Sequence, residues 1–167
     1  MHALTDAAIR SSFVNASKRE VKEMTLPDGI DGWTDKTWAE LDMLGWRDPR
    51  YSRRGYVVAP LLDGELVGIA LTQSTAAPRS RAMCNWCRDV RLPNEVVLFG
   101  ARRTGRAGRQ GATAGILLCS GFQCCRNVRN DPPPAYDGFD VAAARERRID
   151  DLRLRVAGFA ADVASGD

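Results

Sequence analysis

Residues 117–127 read LLCSGFQCCRN, which puts Cys119, Cys124 and Cys125 within seven positions and leaves four residues between the first two. Upstream, residues 83–87, MCNWC, carry Cys84 and Cys87 in the CxxC spacing that lets a tight knuckle aim two thiolates at one cation. Between the two groups lie two β-rich runs, EVVLFGARR (95–103) and GATAGILLC (111–119), and a helix is expected to open at Gln123 or Cys124. Knuckle, strand pair, then a helix whose first turn offers a ligand is the order of a treble-clef zinc finger.

Zinc held by four sulfurs closes tetrahedrally at ~2.3 Å per bond and keeps no open position, so such a site is structural rather than catalytic. Neighbouring residues of a helix point about 100° apart, which keeps Cys124 and Cys125 from reaching one ion together. The expected ligands are therefore Cys84, Cys87, Cys119 and Cys124, with Cys125 as a small packing residue. A redox CxxC beside core cysteines is the competing reading; the order of the segments favours zinc.

Composition supports a globular chain. Hydrophobic residues make up 44% of the 167 and charged residues 27%, which excludes disordered and collagen-like classes. No apolar run approaches the ~20 residues of a membrane span, and MHALTDAAIRSSF has no apolar stretch behind a basic cluster. A cytoplasmic address is expected, where thiols stay reduced and a metal site is favoured over disulfides.

Charge is unevenly spread. From Arg79 to Asn130 ten arginines (79, 81, 88, 91, 102, 103, 106, 109, 126, 129) stand against Asp89 and Glu95, a net of +8 inside a chain whose total is +3. None is lysine, and arginine suits bidentate contact with carboxylate or phosphate. Part of this charge offsets a zinc held by four thiolates; the surplus points to a docking surface for something acidic.

The expected fold class is α+β: short N-terminal helices, an antiparallel β middle, the treble clef and a C-terminal amphipathic helix. Thr5 or Asp6 caps a first helix, Ser17 opens a second, and Thr34 or Asp35 a third with Trp38 and Leu41 on one face. YVVAPLL and ELVGIALTQ flank Asp63 and Gly64 as a β-hairpin. The loop TGRAGRQ (104–110) is long and free to project. After the rigid NDPPPAYDG, a helix from about Phe139 carries the stripe Ile149, Leu152, Val156, Phe159 and Val163, packing on the body or on another copy. The segments divide as 1–50, 51–130, 131–138 and 139–167.

Five segments resemble the elongation factor G binding proteins, whose C-terminal treble-clef zinc finger also occurs in FusB-type fusidic acid resistance proteins. They are IRSSFVNASK (9–18), LDMLGWRDP (41–49), MCNWC (83–87), LFGARRTGRAGRQGATAG (98–115) and CSGFQC (119–124), and the likeness is to short actinobacterial members. The resemblance implies a non-enzymatic protein that binds elongation factor G; the resistance members free that factor from a drug-stalled ribosome. It matches Cys84, Cys87, Cys119 and Cys124 to metal ligands and sets the loop from Arg102 to Gln110 near the partner. Ala112 stands where the family has Asn, and CRNVRN replaces a more apolar segment after the last ligand.

The candidate partner-binding residues are Trp86, Arg102, Arg103, Arg106, Arg109 and Gln110, with Trp86 at the knuckle tip as either surface anchor or cover for the zinc. The alternative function is an RNA-binding or ribosome-associated finger, using the arginines with Trp86 for stacking; the basic loop itself has no aromatic residue. The single histidine, His2, excludes a histidine-based triad, and the glycines at 100–115 match no phosphate-loop motif. Trp33, Trp38 and Trp46 are expected to anchor the small helices.

Overall fold

A computed structural model describes residues 1–76, 80–90 and 95–166; Arg79 and Arg91 lie outside them. The chain runs α1 (Asp6–Ser11), α2 (Lys18–Glu23), a 3-10 turn (Ile30–Gly32), α3 (Asp35–Ala39), β1 (Leu44–Arg47), β2 (Arg54–Pro60), β3 (Leu66–Gln73), β4 (Val96–Arg102), α4 (Gly105–Arg109), β5 (Thr113–Cys119), α5 (Cys124–Arg129) and α6 (Val141–Ser165). The strands form one antiparallel sheet in the order β1-β2-β3-β4-β5.

Local chemistry explains the short helices. The Thr5 and Thr34 hydroxyls accept from the amides of Ala8 and Thr37, and Ser17 forms a reciprocal capping box with Glu20. The hairpin turn at Asp63 and Gly64 is wider than a two-residue loop: Leu61 N–H donates to Glu65 O at 2.8 Å and Gly64 N–H to Leu61 O at 3.0 Å, with Gly64 at φ +89°.

β1 lies within the segment read as helical. Its run, LGWR, is too short to show a strand period alone; it becomes a strand by pairing with β2, Leu44 with Val58 through Arg47 with Gly55. The pleat then divides two cores. Leu44, Trp46, Tyr56 and Val58 meet Ile9, Met24, Ile30 and Trp38 on one face. On the other, Val57, Ile69, Leu71 and Phe99 join the cysteine segments and the stripe of α6. That stripe packs on its own body.

The loop 104–110 does not project. It folds into α4 and docks on the C-terminal turn of α6, whose last carbonyls have no partner within the helix. Thr104 N–H donates to Val163 O (3.1 Å) and its hydroxyl to Ala164 O (2.6 Å). Arg103 donates to Asp162 O and to both Asp162 carboxylate oxygens at 2.9–3.0 Å. A Cβ on Gly108 would sit 1.6 Å from Arg103 O, so the turn closes only around glycine.

Candidate metal centre

Two reversals of the chain bring the cysteines together. In the first, Arg88 N–H donates to Cys84 O at 3.0 Å and Arg88 takes φ +52°; in the second, Phe122 N–H donates to Cys119 O at 3.0 Å and Phe122 takes φ +57°. Positive φ in two side-chain-bearing residues marks backbone held by its surroundings. Cys124 then enters at the first turn of α5.

The sulfurs of Cys84, Cys87, Cys119 and Cys124 all lie within 4.8 Å of one another. Cys84 and Cys124 approach at 3.6 Å, as do Cys87 and Cys119. A tetrahedron with ~2.3 Å Zn–S bonds has edges of ~3.8 Å, so these separations suit one zinc ion. None of the four residues is more than 4% exposed.

Ionisation of this set needs a cation. Hydrogen bonds from Cys119, Cys124 and Cys87 pull the Cys84 thiol far below its ordinary value, and bonds from Cys119 and Cys124 bring Cys87 to about 7. Cys124 is pushed well up by its bonds to Cys119, Cys84 and Cys87 and by burial. A bond from Cys124 favours the Cys119 thiolate, but the bonds to Cys84 and Cys87, with burial, raise it overall. The thiols alone cannot all ionise together; a dication at their centre lets them.

Asn127 completes the surroundings and carries no signal in the sequence. Fully buried on α5, its amide Nδ2 donates to both Cys87 Sγ and Cys119 Sγ at 3.6 Å. N–H donation to ligating sulfur draws off charge and orients the ligand. Asn127→Leu is expected to weaken zinc binding ~10-fold or more with the fold retained, as measured by competition with a coloured chelator.

Trp86 is 1% exposed and stacks edge-on with Phe159 of α6 at 6.1 Å. This corrects its reading as a partner-binding residue: the C-terminal helix covers the knuckle tip, and Arg155 of that helix donates to Trp86 O at 3.0 Å. Arg103 is likewise engaged with Asp162, its side chain 20% exposed. Arg102, Arg106, Arg109 and Gln110 are exposed, and the three arginines form no ion pair among the described residues.

Cys125 points away from the cluster. Its sulfur accepts from Asp42 N–H at 3.4 Å and donates to Met43 O at 3.6 Å, and burial pushes its thiol up. Asp42 itself, with a side chain 1% exposed, takes ion pairs from Arg129 at 2.5 Å and Arg153 at 2.9 Å. It ties the finger helix and α6 to the start of β1, a role with no signal in the neighbouring sequence.

A knuckle, a strand pair and a helix closing on four buried thiols define a treble-clef zinc finger, here set into the end of a larger sheet. The chain belongs to the FBP C-terminal treble-clef zinc-finger family, which it matches over residues 8–163. Among solved structures it is similar to the fusidic acid resistance protein FusC, with 26% identity and a TM-score of 0.48 over 66% of this chain and 47% of that one. The chain thus spans about half the length of FusC. No curated protein matches it. No described helix is long and apolar enough to cross a membrane.

Proposed function

We propose that this protein is a non-enzymatic, cytoplasmic adaptor that binds translation elongation factor G and modulates its interaction with the ribosome. Zinc held by Cys84, Cys87, Cys119 and Cys124 stiffens the platform. The end of β4 presents Arg102 and the docked loop Arg106, Arg109 and Gln110, while Arg103 ties the loop to Asp162 and Trp86 seats α6 on the knuckle. The observation that carries this reading is family membership over residues 8–163, a span that includes both the finger and the N-terminal helices packed on the sheet. FusC, similar in part, is a fusidic acid resistance protein. A site closed by four sulfurs supports a binding role over a catalytic one.

The RNA-binding alternative drew on the arginines with Trp86 as a stacking platform; Arg102, Arg106 and Arg109 stay exposed, but burial of that indole removes the stacking contact.

Titration calorimetry with purified elongation factor G is the test. Binding is expected to weaken with added salt, and the triple change Arg102→Glu, Arg106→Glu, Arg109→Glu to lower affinity ~100-fold, about 2.7 kcal/mol, with zinc content unchanged. No heat of association with the native protein at moderate salt rejects the reading.

A further inference from the structure

β5 is the outer strand on the side of the arginine loop. Two bonds fix the phase of its ladder: Ser120 N–H donates to Glu95 O at 2.8 Å, and Arg103 N–H to Ala112 O at 3.0 Å. In an antiparallel pair, bonded positions alternate, so the even-numbered residues of β5 bond β4. Thr113, Gly115 and Leu117 turn their backbone groups away from the sheet.

At Leu117 that outer edge is answered. Asn85 N–H donates to Leu117 O at 2.8 Å and Leu117 N–H to Asn85 Oδ1 at 2.9 Å, so the knuckle residue imitates a neighbouring strand. At Thr113 and Gly115, both exposed, no described residue pairs with the outward N–H and C=O groups. Open edges are ordinarily blunted by proline, lysine, a bulge or a cover, yet residues 113–117, TAGIL, contain neither proline nor charge.

We propose that Thr113 and Gly115 form a docking edge that takes one short extended segment of an acidic partner as a sixth strand. The inference rests on the functional reading above and names the chemistry recognised there. Arg102, exposed, is the cross-strand neighbour of Thr113 on the same face. An added strand lies ~4.8 Å beyond β5, hence ~10 Å from the Arg102 backbone. Extended glutamate and arginine side chains bridge that gap over the small Thr113 and the bare Gly115. Arg106 and Arg109 on α4 extend the positive field at the same end. A second copy of the chain does not fit this edge: antiparallel pairing about Gly115 would set each Thr113 opposite the other copy's Leu117, where Asn85 already sits.

The test is amide-resolved NMR and hydrogen exchange on the full zinc-loaded chain. The probes are a blocked heptapeptide of alternating threonine and glutamate, its lysine counterpart, and elongation factor G. The expected result is slowed exchange and shifted resonances at Thr113 and Gly115 with the glutamate peptide and with the factor, and no change with the lysine peptide. Gly115→Pro, which deletes an outward N–H and leaves the β4 ladder its bonds, is expected to lower factor affinity about tenfold, while Gly115→Ala changes it less than about twofold. Factor binding without protection of these amides overturns the edge and leaves the function standing. Protection by the glutamate peptide with no factor binding does the reverse.

Discussion

Stripping zinc from the folded protein is expected to lower its thermal transition by roughly 10–20 °C and to erase the near-ultraviolet circular dichroism of buried Trp86. Free zinc-finger peptides draw ~10–16 kcal/mol from the metal; part of that scale applies here, because the sheet has a second core on its other face. The loss spreads beyond the cysteines. The four ligands share one core with Leu152, Val156 and Val163 of α6, and Arg148 reaches from that helix to Asn127 O at 3.1 Å. Loosening the finger therefore unseats the C-terminal helix, and with it the loop held by Thr104 and Arg103. Ligation requires thiolates, so zinc should be retained at neutral pH and released as pH falls. Calorimetry before and after dialysis against a strong chelator measures the effect, and an unchanged transition contradicts it.

The second large effect is expected at Phe122. Its ring fills the seam between finger and sheet, 5.3 Å from the ring of Phe99 and against one glycine each of β1 and β2. A Cβ added at Gly45 would lie 2.8 Å from Phe122 Cβ, and one at Gly55 would lie 2.7 Å from Phe122 Cζ. Phe122→Ala is expected to cost ~3–5 kcal/mol through lost burial and a cavity. Gly55→Val is expected to cost ~1–3 kcal/mol by overpacking, because the ring tip it meets is held against Phe99. The pair should couple: with the ring gone the valine has room, so the double variant is less destabilised than the sum of the two. Urea denaturation of the three variants reads this directly, and strict additivity would mean that the ring and the glycine do not meet.

How much of this was legible in the sequence follows the range of the forces involved. Features written in neighbouring residues were readable: the helix opening at Ser17, the Asp63–Gly64 reversal, the stripe of α6, and the order of cysteines and strands that points to a zinc finger. Features made by distant segments were not. β1 is a strand only because β2 lies beside it, and Trp86 is buried only because α6 crosses the knuckle. The loop 104–110 is ordered by carbonyls that the far end of α6 leaves unbonded. Asn127 looks like any polar helix residue until Cys87 and Cys119 are brought over its amide, and Asp42 like any aspartate until Arg129 and Arg153 converge on it.

The measurement that bears most directly on the central claim is zinc K-edge X-ray absorption on the purified protein, together with its metal content. One zinc per chain in a shell of four sulfurs at ~2.3 Å is the expected result, retained in Cys125→Ser and lost from that shell in Cys84→Ser or Cys124→Ser. A metal-free protein that keeps its fold, or a zinc shell of nitrogen and oxygen, would contradict it.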